Sequence, residues 1–139
     1  MIVLDTNVLS ETLRPAPSAA VLEWLSGQDP ESVFLTTITQ AELLYGIELL
    51  PAGKRKMHLH RAVEELLAED FAGRILPFDE SAARLFGPIA AHRAKLGRPI
   101  SQPDAMIAAI ARSRRSAVAT RNTADFAHCG IRLIDPWAE

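Results

Sequence analysis

Short apolar runs of strand length alternate with stretches of helical period along almost the whole chain, and this alternation constrains the fold more than any other feature. The runs are Ile2 to Leu4, Val33 to Leu35, Arg74 to Leu76, Ala117 to Ala119 and Arg132 to Ile134. Most carry Val or Ile, whose branched side chains suit a pleated sheet. Between them, Ala19 to Leu25 follows Pro17-Ser18 and stops at Gly27, a helix entry and exit. Leu43, Leu44, Ile47 and Leu50 recur at helical spacing within Thr39 to Leu50. Leu59, Val63, Leu66 and Leu67 stripe a helix from Arg55 to Asp70, and Leu85, Phe86, Ile89 and Leu96 stripe another from Asp79. A further helix, Pro103 to Ser113, sets Ile107, Ala108 and Ala111 on one face with Asp104. Such alternation predicts an α/β layered fold with a parallel sheet and right-handed crossovers. With 139 residues, no linker and no internal repeat, residues 1–139 read as a single domain.

Ligands of open parallel sheets bind beyond the carboxyl ends of the strands. Asp5 ends the first run and Asp125 follows the fourth, while Glu42 and Asp104 stand near two helix starts. Each acid has a local explanation. Thr39-x-x-Glu42 reads as a capping box, Ser101-x-x-Asp104 as a weaker version of one, and Asp125 as a charge near the start of a short helix beginning near Thr123. Asp5 resists that treatment, because it ends a continuous apolar run suited to a buried central strand, where an unpaired charge costs several kcal/mol.

Taken together, four carboxylates at one sheet edge repel one another unless a cation neutralises them. Oxygen donors without thiolate select a hard ion, Mg²⁺ or Mn²⁺, which binds through few carboxylates plus waters and phosphate oxygens. Such an ion polarises a phosphoryl group and acidifies a bound water, so the expected chemistry is phosphodiester hydrolysis. Thr6 and Asn7 follow Asp5, and Thr120 and Asn122 precede Asp125; each either orients the acids and touches phosphate or caps the adjoining helix. Arg121 reads as a phosphate contact or as an exposed loop residue.

Other classes fare worse. The single Cys129 allows no intrachain disulfide and no thiolate-rich zinc site, in keeping with a reducing compartment. No apolar stretch reaches the roughly 18 residues that span a bilayer, and Met1-Ile2-Val3-Leu4-Asp5 lacks a signal peptide's basic region, so a cytoplasmic protein is expected with no membrane partner. A net charge of −2 argues against nucleic-acid binding by bulk charge, and the basic clusters Lys54-Arg55-Lys56, Arg93-Lys95-Arg98 and Arg112-Arg114-Arg115 read as solvated helix faces. His58, His60, His92 and His128 lie outside the acidic motifs, and Ser10 and Ser101 lack an activating base at recognisable spacing. Trp24, Tyr45 and Trp137 read as core or interface aromatics, Met57 and Met106 as packing.

Met1-Ile-Val-Leu-Asp-Thr-Asn-Val-Leu-Ser10, Thr39-x-Ala41-Glu42-Leu-x-x-Gly46, Asp104-x-x-Ile107-Ala108-Ala109 and Ala119-Thr120-Arg-Asn122-x-x-Asp125-Phe126 resemble, in order and separation, the motifs of PIN-domain ribonucleases. The likeness covers essentially the whole chain. It is strongest to VapC toxins of type II toxin–antitoxin pairs, in the FitB-like branch, which similarly carries a segment like Gly73-Arg-Ile-Leu-Pro-Phe-Asp79 and a Pro136-Trp137 ending. The resemblance implies a PIN-like three-layer α/β/α sandwich with a five-stranded parallel sheet, a homodimer, and an acidic pocket holding Mg²⁺ or Mn²⁺ that cleaves RNA. Asp5, Glu42 and Asp104 match the acids the family shares most widely. The family draws its fourth from the position of Asn122 or of Asp125, and since Asn122 is neutral, Asp125 is the candidate here. A small DNA-binding antitoxin is the implied partner; its tail wraps the toxin, the two form a larger hetero-oligomer, and DNA is contacted only through it. Two readings from other classes stand beside this one. The first is a non-catalytic module whose acidic pocket docks the antitoxin. The second is a phosphatase with an aspartate nucleophile, which lacks the Asp-x-Asp pattern because Asn7 takes the second position.

Overall fold

The structure, a computed structural model, describes residues 1–138. Five strands form one wholly parallel sheet: β1 (Ile2–Leu4), β2 (Val33–Thr36), β3 (Ile75–Leu76), β4 (Ala117–Ala119) and β5 (Leu133–Ile134). Their order is β3-β2-β1-β4-β5, so the most apolar strand lies in the middle. Ile2 pairs with Val33 on one side and Ala117 on the other. Among the described residues seven α-helices connect the strands: α1 (Thr6–Thr12), α2 (Ala19–Ser26), α3 (Thr37–Glu48), α4 (Lys54–Glu65), α5 (Glu80–Lys95), α6 (Gln102–Ser113) and α7 (Thr123–Phe126).

Alternation along β1 decides the two cores. Ile2 and Leu4 face a cluster with Val8, Val21, Leu43 and Val63, contributed by α1 to α4, and with Leu35 of β2. Val3 faces the opposite way, onto Ile89, Ile107, Ile110 and Phe126 from α5, α6 and α7. The sheet is thus covered on both faces, the three-layer sandwich that its continuous apolar strands require. Fully burying each of the larger aliphatic side chains contributes roughly 1.5–3 kcal/mol. On α6 the small residues Ala105, Ala108, Ala109 and Ala111 are all buried, which lets this helix pack closely on its neighbours.

Local rules place most helix ends. Ser18, Asp79 and Ser101 accept from the backbone N–H three residues ahead, and Pro103 occupies the first turn of α6, where its missing N–H costs nothing. Three expectations change. The apolar stripe from Arg55 to Asp70 breaks at Glu65 into a π turn, Leu66–Asp70, closed by Phe71 N–H on the Leu66 carbonyl at 2.9 Å. The cap of α3 is Thr36 and not Thr39: β2 runs directly into α3, Thr36 Oγ1 accepts from Thr39 N–H at 3.1 Å, and Glu42 does not turn back to Thr39. Met57, expected to be packed, is 63% exposed, and Tyr45, expected in the core or an interface, lies outside the core at 66% exposure. Among the described residues no helix is long and apolar enough to cross a membrane.

Candidate active site

The carboxyl ends of β1, β2 and β4 meet at one edge of the sheet, and the loops and helices leaving them build a cleft of about 450 Å³. Asp5 follows β1 directly, is the N-cap of α1 and is buried, at 6% exposure. Its Oδ1 accepts from Thr6 N–H at 2.8 Å, and its Oδ2 accepts from Thr120 Oγ1 at 2.9 Å. Glu42, in the second turn of α3, and Asp104, in the first turn of α6, line the same cleft. Asn7 and Asn122 stand at its wall, and Thr120 lies fully buried beneath it.

Two hydroxyl systems hold the acids. Each threonine has one proton to give, so the bonds acquire a direction. Thr6 Oγ1 donates to Glu42 Oε1 at 2.7 Å and therefore accepts from Thr39 Oγ1 at 2.9 Å, which in turn accepts from Thr36 Oγ1 at 3.5 Å. Thr120 gives its proton to Asp5 and accepts from Asn7 Nδ2 at 3.3 Å and Asn122 N–H at 3.1 Å. Thr39 is thus a brace for Thr6 instead of a helix cap.

The electrostatics are those of an uncompensated acidic site. Burial, with smaller contributions from the charges of Asp104 and Glu42, pushes the Asp5 carboxyl up to about 6, against the opposing hydrogen bonds from Thr120 and Thr6. Asp104 is also raised, first by burial and then by the neighbouring charges of Asp125 and Glu42; the hydrogen bond to Ser101 and the charge of Arg93 act the other way. No Lys or Arg forms an ion pair with Asp5, Glu42 or Asp104 among the described residues. Nor do three His, Cys, Asp or Glu side chains there already stand close enough to ligate one ion unaided. The donor set still suits a hard cation: it is all oxygen, it carries excess negative charge, and Mg²⁺ or Mn²⁺ takes few carboxylates and keeps waters.

Asp125 is placed differently. It is exposed in the single turn of α7, its charge is felt at Asp104, and it does not line the cleft, whereas Asn122 does. Its backbone carbonyl accepts from Arg93 Nη1 at 2.6 Å. Arg93 departs from the expected solvated face: it is 4% exposed and also donates to the carbonyls of Arg98 at 2.7 Å and Ala127 at 3.0 Å.

Sequence reasoning passed over two features of the cleft. Glu11, buried on α1, accepts from Ser18 N–H at 3.0 Å and from Arg14 Nη1 at 3.1 Å; these bonds hold its carboxyl below the usual range and pin Arg14 at the cleft rim. Its i,i+3 spacing to Arg14 was the available signal. Trp137, expected as core or interface, is half-buried at the cleft, and the Arg121 guanidinium lies over its ring, 5.2 Å from the centroid.

A family model described as the PIN domain matches residues 2–130. Over 137 residues the chain is 44% identical to Toxin FitB of Neisseria gonorrhoeae (strain ATCC 700825 / FA 1090), covering 99% of each chain. It is 42% identical over 137 residues to VapC ribonuclease Y4jK of Sinorhizobium fredii (strain NBRC 101917 / NGR234), covering 99% of this chain and 98% of that one. Among solved structures, FitAcB from Neisseria gonorrhoeae superposes with a TM-score of 0.94 at 43% identity, covering 100% of both chains. FitAB bound to the IR36 DNA fragment does so at 0.93 and 43%, covering 99% of this chain and 96% of that one.

Proposed function

The chain belongs to the PIN-domain family, and on that premise we propose that it is the metal-dependent endoribonuclease toxin of a toxin–antitoxin pair. One observation carries the reading: Asp5, Glu42 and Asp104 come from three separate elements to a single cleft, and none of the three forms an ion pair with a Lys or Arg among the described residues. The relatives named as a toxin and as a VapC ribonuclease support the class of activity.

Asp5, Glu42 and Asp104 would hold Mg²⁺ or Mn²⁺, with Asp125 adding negative charge beside Asp104. An ion bound there would supply Lewis-acid polarisation of a phosphoryl group and would acidify water near neutral pH. The protein's own share is positioning. Thr120 and the Thr6 N–H fix both oxygens of Asp5, and Thr6 fixes one oxygen of Glu42, so the carboxylates need little reorganisation on loading. Asn7 and Asn122 offer amide groups to a phosphate oxygen or an ordered water. Arg14 and Arg121 at the rim offset the repulsion between the acids and an incoming phosphodiester.

An apolar groove of about 540 Å³ between α1, α3 and α4 supports the partner reading. Leu13, Leu43, Ile47, Leu50 and Leu59 line it, and it shares Thr6, Ser10, Arg14 and Glu42 with the cleft. A segment of a DNA-binding antitoxin lying there can carry a basic side chain onto the acids and compete with the metal. The purified chain is to be incubated with total cellular RNA in Mg²⁺, Mn²⁺ or chelator, beside Asp5→Asn and Asp104→Asn. Metal-dependent cleavage lost in both folded variants is the expected result. Cleavage retained by either variant, or no cleavage of any RNA by the native chain, overturns the assignment.

A further inference from the structure

The acid cleft repels the substrate proposed for it, and the net charge of −2 supplies no general attraction for a polyanion. Several arginines are committed elsewhere. Arg14 is tied to Glu11, Arg84 to Glu80 and Arg114 to Asp79, while Arg93 is enclosed by carbonyl groups. Among those without such a partner, three arginines come together in one place.

Arg112 on the last turn of α6, Arg115 in the turn before β4 and Arg132 just before β5 line one concavity of about 490 Å³. Met1, Ser116, Ala117, Gly130 and Ile131 complete its wall, and no acid among the described residues lines it. Because the sheet is wholly parallel, these segments lie at its amino edge, opposite the acids. The strands between are three residues long, so roughly 10 Å of sheet separates the two edges.

Two left-handed backbone positions lie in this wall. Arg115 adopts a left-handed conformation, φ 54°, rare for a residue with a side chain. Gly130 has φ 78°, a conformation that favours glycine, and its bare Cα lies close to Arg112: a Cβ there would stand 3.2 Å from Cζ and Nε of that side chain. None of the three guanidinium groups has a carboxylate, carbonyl or hydroxyl partner among the described residues. Three converged cations without a counter-charge repel one another, and an oxyanion bridging them relieves that repulsion through charge-assisted, forked hydrogen bonds.

We propose that Arg112, Arg115 and Arg132 form a phosphate-binding pocket at the amino edge of the sheet, occupied by backbone phosphates of the RNA whose cleavage takes place at the opposite edge. The RNA occupant rests on the function proposed above; the phosphate chemistry does not. A folded RNA lying along the β5 side of the molecule reaches both edges, which gives a substrate of some width an advantage over a short single strand.

The test uses the full chain. Pyrophosphate is titrated into the ¹⁵N-labelled native protein and into Arg112→Gln/Arg132→Gln, with amide shifts followed by NMR. Separately, anisotropy measures binding of a labelled transfer RNA to Asp5→Asn, with and without the two arginine substitutions, across a salt series. Both arginines are exposed, and native-like spectra of the double variant confirm its fold. The expected result is saturable shifts at Ser116, Ala117 and Gly130 that vanish in the double variant. With it comes about a tenfold loss of RNA affinity and a log–log salt slope smaller by about 1.5 to 2, the value for two lost phosphate contacts. Pyrophosphate binding with unchanged RNA affinity overturns the RNA occupant and assigns the pocket to a free phosphate ligand. Weakened RNA binding without a pyrophosphate response supports the backbone as the occupant. Neither response overturns the pocket. Failure of the native chain to cleave RNA sinks the ribonuclease reading and leaves the pyrophosphate result standing.

Discussion

Thr120 and Asp5, 115 residues apart in sequence, meet where β4 and β1 end side by side, and the threonine hydroxyl donates to Asp5 Oδ2 at 2.9 Å. Because Thr120 already accepts from Asn7 and Asn122, its single proton is committed to the carboxylate. The bond favours the ionised acid in a place where burial disfavours it.

Thr120→Val keeps the shape of a fully buried side chain and removes that donor. With the Asp5 carboxyl at about 6, proton and metal compete below that pH, so apparent Mg²⁺ affinity in the native chain rises with pH and levels off above about 6. In the variant a force that lowers the pKa is gone, and the levelling point moves to higher pH. Calorimetric Mg²⁺ titrations between pH 5 and 8 check this; an unmoved break contradicts it.

Asp5 should also cost the metal-free fold stability. Its folded pKa, about 6, lies above its ordinary value of 3.8, so the folded state holds the proton more tightly. The penalty is absent below pH 3.8, grows as pH rises through 6, and is complete above it, at roughly 3 kcal/mol. Asp5→Asn is therefore expected to melt higher than the native chain at pH 8 in chelator and to lose this advantage near pH 4. Added Mg²⁺ should raise the melting temperature of the native protein and leave Asp5→Asn unchanged. Differential scanning calorimetry at the two pH values reads all three outcomes.

The Trp137 ring holds the Arg121 guanidinium at the cleft rim. Trp137→Leu removes the face on which the guanidinium rests, and Arg121→Ala removes the charge itself. Both should raise KM for RNA several-fold at low salt with little change in kcat, because they weaken attraction before chemistry begins. If the ring acts through the arginine, the double variant is no worse than Arg121→Ala; additive losses give Trp137 a role of its own.

Arg93 donates to three carbonyls of two loops, those of Arg98, Asp125 and Ala127. Arg93→Ala leaves them without their donor in a buried place and should destabilise the protein by about 3 kcal/mol. Arg93→Lys keeps the charge but lacks the planar fork that reaches both loops, so it should recover only part of the loss. Urea unfolding of the two variants ranks them.

Much of the architecture was legible because its causes are local. Alternating apolar runs and helical stripes located all five strands to within one residue at each end, and Ser18, Gly27 and Ser101 marked helix boundaries where they occur. The acids Asp5, Glu42 and Asp104 stood out because charge interrupts the apolar pattern at strand and helix ends, and the fold brings these three to one cleft. Asp125 was marked by the same signal and lies outside the cleft lining.

What the sequence alone determined, then, is the type and order of elements and hence a parallel sheet with acids at its carboxyl edge, since period and punctuation act over a few residues. Only the tertiary structure decided which hydroxyl serves which acid. With Thr36, Thr37 and Thr39 so close together, the identity of the cap depended on where β2 hands over to α3, and the partner of Thr39 is Thr6, at the start of another helix, α1. The fate of each arginine was settled in the same way. Arg93 is buried, Arg121 rests on Trp137, and Arg112, Arg115 and Arg132 converge, because the partners or open space that each side chain meets lie far away in the chain and close only in the fold.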